Sequence, residues 1–104
     1  MEFNKYQLNA MATRLPNADL RYGVLNLAGE AGEVASKFAK SIRDGYDHQV
    51  DPVELAKELG DVLWCVALIC EEIGVDMNTV ATMNIDKLAS RAARGVLAGS
   101  GDNR

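Results

Sequence analysis

The stretch PVELAKELGDVLWCVALICEEIG, residues 52–74, decides the fold. It begins on a proline preceded by an aspartate and ends on a glycine, as expected for a helix with a cap, a first-turn proline and a glycine terminus. Its first half has a mixed polar face, whereas residues 62–70 are apolar on every side and need covering on every side. Since the chain offers only three further helices, we expect a second subunit to cover Trp64, Ala67 and Leu68. Burial within the same chain is the alternative.

Helix is also the dominant signal elsewhere, because no long stretch alternates apolar and polar residues and both prolines lie where helices begin or end. Asp19 and Asp76 are expected helix caps. An Asp-rich loop at 43–51 separates the second and third helices, which therefore form a hairpin, and it contains His48 as an exposed residue. Helices are predicted at residues 3–15, 19–42, 52–73 and 76–96, with an irregular tail at 98–104. The expected fold is all-α: a compact four-helix bundle completed by oligomerisation.

Composition limits the classes of protein that fit. The 104 residues allow one domain, 1–104, with one modest core. The 15 acidic against 11 basic residues argue against broad binding to nucleic acid or anionic membrane. Cys65 and Cys70 lie in the apolar run, where we expect small hydrophobic residues rather than a disulfide. No basic-then-apolar leader starts the chain and no apolar run nears the ~20 residues of a membrane span, so we expect a cytoplasmic protein.

Two acidic pairs with helical spacing carry the chemistry. Glu30 and Glu33 share one face of the second helix, and Glu58 and Asp61 share one face of the third. A hairpin can bring both pairs together, and four carboxylates that repel one another are stable mainly around a cation. Hard oxygen ligands favour Mg²⁺, with Mn²⁺ as a substitute, and Mg²⁺ completes its shell with phosphate oxygens. The pairs therefore point to phosphoryl chemistry.

The alternative is a solvated helix face with ion pairs such as Glu33 with Lys37. Against it, Gly29, Gly32 and Gly60 lie inside the predicted helices beside the acids, where each costs about 1 kcal/mol relative to alanine. Close approach of the helices around a metal would offset that cost, and so would close packing alone. We favour the metal site.

The fourth helix adds a basic stripe that complements the acids. Its members follow 3, 4, 3 spacing and share one face: Asn84, Lys87, Arg91 and Arg94. Taken alone, such a stripe is more often a solvated face. Beside a metal cluster it predicts cations that neutralise phosphate charge while the metal bridges phosphate oxygens.

Together these residues resemble the MazG-like nucleotide pyrophosphohydrolase family, whose signature is EXXE, a spacer, then EXXD. The matching segments are LAGEAGEVASK around Glu30 and Glu33 and AKELGDVLW around Glu58 and Asp61. The resemblance extends over nearly the whole chain, through Tyr6-Gln7, Asn84-Ile-Asp-Lys87-Leu, Arg91 and the tail RGVLAGSGDNR.

The resemblance implies an all-α homodimer or homotetramer that uses Mg²⁺ to hydrolyse nucleoside triphosphates to monophosphate and pyrophosphate. The implied metal ligands are Glu30, Glu33, Glu58 and Asp61. Glu33 is the expected general base, with Glu30 as the alternative. The implied phosphate contacts are Lys87, Asn84 and Arg91, with Asp102 or Arg104 closing the site. Base and sugar preference stay open, because several side chains suit several bases: Phe3, Tyr6, Gln7 and Trp64.

Two other functions remain as alternatives. Similar acidic helices hydrolyse a phosphoribosyl-linked ATP, and this activity ranks second. A non-enzymatic helical dimer that binds a protein partner is the third, and it predicts no metal dependence. A di-iron carboxylate bundle is set aside, because such sites use Glu-x-x-His pairs and the only histidine is in a predicted loop.

Overall fold

The computed structural model describes residues 1–45 and 49–104 and contains four helices. They are α1 (Phe3–Met11), α2 (Leu20–Asp44), α3 (Pro52–Ile73) and α4 (Met77–Ala93). No strand occurs among the described residues, so the predicted all-α class is confirmed. The prediction for His48 falls outside those residues. Within the described ranges, no helix combines the length and the apolar character needed to cross a membrane.

Three aspartates fix where the long helices begin. Asp19, Asp51 and Asp76 each accept a hydrogen bond from a backbone N–H in the first turn of α2, α3 and α4, at 2.7–2.9 Å. Such caps satisfy amides that have no partner within the helix. The bond from the Thr79 backbone N–H holds the pKa of the Asp76 carboxyl below its ordinary value, because it favours the charged form. The predicted caps are confirmed.

The first helix is shorter than predicted and ends at Met11 instead of near residue 15. In a continuing helix the carbonyl of Ala10 would accept the amide of Arg14. Here it accepts the amide and hydroxyl of Thr13, at 3.0 and 2.6 Å, and the indole N–H of Trp64 at 3.2 Å. A local contact with Thr13 and a contact with Trp64 that is distant in sequence therefore occupy this carbonyl, and the helix pattern does not predict the second.

The last helix also ends early, at Ala93 instead of near residue 96. Gly95 adopts a left-handed conformation, φ +71°, and the amide of Val96 donates to the Arg91 carbonyl at 2.9 Å. This is the glycine-terminated pattern common at helix ends. Gly95 was the available sequence signal.

The α2–α3 pair is an antiparallel hairpin with a close approach at one glycine. A Cβ added at Gly23 would lie 3.2 Å from side-chain atoms of Leu68 and Ile69. One turn along α2, the Asn26 amide donates to the Cys65 thiol sulfur at 3.4 Å. Because the helices are antiparallel, residues with rising numbers along α2 lie opposite residues with falling numbers along α3. The acids near the middle of the two helices are therefore expected to face each other.

The apolar run of α3 is partly covered within its own chain. Ala67 and Leu68 have no exposed surface, so the prediction that a second subunit covers them is wrong for these two residues, whereas Trp64 is only half-buried. The reason is that α1 packs across α3 on one side while α2 occupies another. Cys65 and Cys70 are free, buried thiols, as expected for small hydrophobic residues.

Candidate active site

The hairpin places carboxylates of α2 and α3 opposite each other. Oxygen atoms of Glu30, Glu58 and Asp61 lie within 4.8 Å of one another, with Glu30 and Glu58 half-buried and Asp61 exposed. The cluster lies along the hairpin from the Gly23–Leu68 contact, on the side toward the inter-helix loop. The helix pairing that buries Leu68 thus also sets the spacing of the acids.

Repulsion within this cluster is visible in its electrostatics. Burial, followed by the charges of Asp61, Glu58 and Glu33, raises the pKa of Glu30 above its ordinary value. Burial, and then the Asp61 charge, likewise raises the pKa of the Tyr6 phenol. A carboxylate that neighbouring negative charges destabilise in this way is stabilised by a cation, and an all-oxygen donor set suits a hard divalent ion. The residues present fit Mg²⁺ or Mn²⁺.

Glu33 lies one turn further along α2, is exposed, and is not among the three residues whose oxygens converge. Its charge still contributes to the raised pKa of Glu30, so it lies close to the cluster. The four predicted acids therefore separate into a convergent trio and one neighbour.

The ion pairs differ from those expected for a solvated helix face. Lys37 does not pair with Glu33 along its own helix. Its Nζ atom lies 3.5 Å from Glu58 Oε1 across the hairpin. Lys57 lies 3.0 Å from Glu54 Oε1, away from the cluster. One cation therefore partly neutralises the cluster from the side of α2.

The glycines beside the acids do not mark a close helix approach. A Cβ added at Gly32 or Gly60 would meet no other heavy atom within 4 Å, and one at Gly29 would meet only Asn26 Oδ1, at 3.9 Å. The packing explanation for these glycines is therefore wrong for the single chain, and the close contact is at Gly23. The surface at Gly32 and Gly60, beside the carboxylates, is therefore not covered by other side chains among the described residues.

A cavity of about 480 Å³ adjoins the cluster, within the size range common for small-molecule sites. The Trp64 indole N–H, which donates to Thr13 Oγ1 at 2.9 Å, holds one wall in a fixed orientation. The cavity is lined by Thr13, Leu15, Asn17, Ala18, Tyr22, Asp61 and Trp64. Sequence reasoning had identified Trp64 and Asp61 but missed Thr13, Asn17 and Tyr22. For these three residues the sequence offered one signal, the interruption of the helix pattern at Pro16 and Asn17 before the cap Asp19.

Gln7 has a structural place instead of the predicted substrate contact. Its side chain is buried, its Nε2 donates to Glu71 Oε2 at 3.0 Å, and its Oε1 accepts from the Met77 amide at 2.7 Å. These bonds tie α1 to α3 and to the start of α4. With both amide atoms engaged, Gln7 has no free polar atom for a nucleotide. Phe3 and Tyr6 do not line the cavity.

The basic stripe of α4 forms no ion pair with the acidic cluster among the described residues. Within the described residues, α4 contacts α1 and α3 but not α2. Lys87 and Arg91 both approach Asp102 Oδ1, at 3.6 Å each. Asn84 and Lys87 line a separate surface depression. The structure therefore groups Lys87, Arg91 and Asp102 together, with Arg104 in the same tail, and does not bring them to Glu30.

Comparison with known proteins agrees with this geometry. Residues 22–96 match the model of the MazG nucleotide pyrophosphohydrolase domain, a range that holds both acidic pairs and the basic stripe. The chain is also similar to the Gene 37 protein of Mycobacterium phage L5, with 42% identity over 114 aligned positions that span 100% of both chains. No solved structure gives a significant match. A family match over most of the chain, on the helices that carry the convergent carboxylates, shows that this protein belongs to the MazG nucleotide pyrophosphohydrolase family.

Proposed function

We propose that this chain hydrolyses nucleoside triphosphates to the monophosphate and pyrophosphate with the aid of Mg²⁺. The observation that carries the proposal is the convergence of Glu30, Glu58 and Asp61 oxygens within 4.8 Å, beside a cavity that Asp61 also lines. A cation held by these groups would be adjacent to any nucleoside in that cavity. The family membership supports the same reaction class.

In this proposal Glu30, Glu58 and Asp61 hold the metal, and Glu33 is the fourth acid of the site. When bound, Mg²⁺ neutralises phosphate charge and lowers the pKa of an attacking water. Glu33 is exposed and outside the convergent trio, so it keeps free oxygen atoms to accept a proton from that water. Glu30 is the alternative base.

The reaction itself needs one water and no oxidant or reductant. Water attacks a phosphorus atom next to the oxygen that bridges the α- and β-phosphates, and the bond from that phosphorus to the bridging oxygen breaks. Attack at either phosphorus gives the same two products. The proton of the water passes to the carboxylate base, and the departing phosphate group carries the electron pair of the broken bond.

The cavity beside Asp61 is the proposed nucleoside site. Tyr22 and Trp64 supply aromatic surface for a base, while Thr13 and Asn17 supply polar groups that can select it. The bare surface at Gly32 and Gly60 leaves room for the phosphate chain next to the carboxylates.

We further propose a homodimer or homotetramer, in which α4 of another copy brings Lys87 and Asn84 to the acids. The chain has a radius of gyration of 16.6 Å and exposes 7340 Å². A compact monomer of this size has about 13 Å and about 5,700 Å². The excess of about 1,600 Å² exceeds the roughly 800 Å² that each partner of a standard interface buries. Among the exposed apolar residues are Leu8, Leu25, Leu59, Met83 and Ile85.

The test incubates the purified protein with each common ribo- and deoxyribonucleoside triphosphate, with Mg²⁺ or with a chelator, and separates all phosphate products. We expect monophosphate and pyrophosphate in equal amounts, only with Mg²⁺, and a loss of at least about a hundredfold in Glu58→Gln. Glu54→Gln is the matched control, because Glu54 lies one turn away on the same helix and pairs with Lys57. Orthophosphate as the first product, or equal loss in both variants, contradicts the proposal.

A further inference from the structure

The C-terminal segment, residues 94–104, folds back on the end of α4 and is held there by arginines. The Arg104 guanidinium donates to three carbonyl oxygens, those of Val96, Leu97 and Gly101, at 2.7–3.1 Å. The Arg94 guanidinium in turn donates to the Arg104 carbonyl at 2.8 Å. The tail has no helix or strand, as predicted, and these bonds hold it against the end of α4.

This loop sets one carboxylate against two cations of α4. Asp102 Oδ1 lies 3.6 Å from both Lys87 Nζ and an Arg91 guanidinium nitrogen. The same Arg91 nitrogen donates to the Asp102 carbonyl at 2.7 Å. The Asp102 side chain is 88% exposed, so solvent or another anion can reach and replace it.

Arg91 is incompletely satisfied by this arrangement. The residue is only 6% exposed, and its Nε atom has no hydrogen-bond partner among the described residues. A buried donor without a partner is costly, and guanidinium groups bind phosphate oxygens in pairs. One carboxylate oxygen at 3.6 Å uses little of the donor capacity that Lys87 and Arg91 offer together.

We propose that Asp102 is a built-in competitor for the phosphate that Lys87 and Arg91 are expected to bind. A phosphate group displaces the Asp102 carboxylate, and its additional oxygens bond to the free donors as the tail shifts. The inference rests on the proposed function only in taking a nucleotide as the source of the phosphate. The tail thereby weakens binding of phosphate at this site until a ligand replaces it.

The size of the effect follows from competition within one chain. If the docked tail is favoured by an equilibrium constant K, the apparent affinity for phosphate falls by a factor of 1 + K. An exposed ion pair of modest strength makes K a few units. Removing the Asp102 charge should therefore tighten phosphate binding about threefold to sixfold.

The experiment titrates inorganic pyrophosphate into the whole protein in the presence of a chelator and follows binding by calorimetry. Without a divalent cation the acidic cluster cannot recruit pyrophosphate, so the α4 site is measured alone, and no turnover is needed. We expect Asp102→Asn to bind about threefold to sixfold more tightly than the parent protein, and Lys87→Ala to bind more weakly. The control is Asp86→Asn, which also removes one negative charge, from an exposed position of α4. Its affinity for pyrophosphate should stay within about twofold of that of the parent protein.

A second variant keeps the test independent of the Asp102 side chain. Arg104→Ala removes the three bonds that hold the loop but keeps the carboxylate, and it should also tighten pyrophosphate binding. Unchanged affinity in both Asp102→Asn and Arg104→Ala, or equal tightening in Asp86→Asn, overturns the proposal. A protein that binds pyrophosphate as expected but hydrolyses no nucleotide would retain this inference and refute the proposed function.

Discussion

Without magnesium, the Glu30→Gln variant should be more stable than the parent protein. With magnesium, it should be less stable than the parent protein. The reason is that the Glu30 carboxylate lies within 4.8 Å of oxygens from Glu58 and Asp61, and burial together with these charges raises its pKa. A neutral amide of the same shape removes the repulsion. It also removes one of the proposed ligands of the cation.

The magnitude can be worked from the spacing. Two unit charges about 4.8 Å apart repel by about 0.9 kcal/mol in water and about 3.5 kcal/mol at an effective dielectric constant of 20. Glu30 is half-exposed, and Lys37 partly neutralises Glu58, so we take a total near the lower figure, about 1 kcal/mol. For a domain of this size, that corresponds to a rise in Tm of about 4–8 °C.

Magnesium should reverse the order. A ligand that binds only the folded protein adds about 2.7 kcal/mol to the free energy of unfolding at a concentration one hundred times its Kd. The parent protein gains this stabilisation, whereas Glu30→Gln loses most of it. The melting curves of the two proteins should therefore exchange order between chelator and saturating Mg²⁺.

The assay is thermal unfolding followed by circular dichroism, at one fixed protein concentration because an oligomer's Tm depends on it. Glu54→Gln is the control, since that carboxylate lies outside the cluster, and its Tm should change little in either buffer. The reasoning is refuted if Glu30→Gln melts below the parent protein in chelator, or if Mg²⁺ raises the Tm of both equally.

Three further predictions concern the titration of Glu30, the packing at two glycines of α2, and the cavity residue Asn17. Because the folded pKa of Glu30 is raised above its unfolded value, folding favours the protonated form. The free energy of unfolding of the metal-free protein should therefore fall as the pH rises from the ordinary glutamate pKa through the raised pKa of Glu30. Urea unfolding across this pH range should show the fall in the parent protein and not in Glu30→Gln. Gly23→Ala places a Cβ 3.2 Å from Leu68 and should destabilise by about 1–3 kcal/mol, whereas Gly32→Ala, in open space, should stabilise by up to about 1 kcal/mol. Urea unfolding of both variants checks this pair, and equal shifts contradict it. Asn17→Ala should alter the ratio of kcat/KM between bases by about tenfold or more while leaving the Mg²⁺ requirement intact, and a uniform loss across all nucleotides would count against a base contact.

The features that local chemistry specifies were predictable from the sequence. The aspartate caps and the terminal Gly74 mark helix ends wherever they occur, because their effect depends on the backbone a few residues away. The face shared by Glu58 and Asp61 follows from helix geometry in the same way. Most of what failed depended on contacts between distant segments, whereas the early end of α4 follows from the local signal of Gly95. The Trp64 indole bonds to the Ala10 carbonyl where α1 ends, and packing of α1 and α2 against α3 buries Ala67 and Leu68, which had seemed to need a second subunit.

The placement of the acids shows why pattern alone could not complete the site. The spacing places Glu30 and Glu33 on the same helix face, so it cannot show which of them lies against the acids of α3. The axial register of α2 relative to α3 decides this. That register depends on Gly23, whose missing side chain lets α2 settle on Leu68. With this contact in place, Glu30 converges with Glu58 and Asp61, and Glu33 lies one turn beyond, where it keeps free oxygens. A shift of one turn would exchange the two positions, so the division that we propose between metal ligand and proton acceptor would be a consequence of core packing.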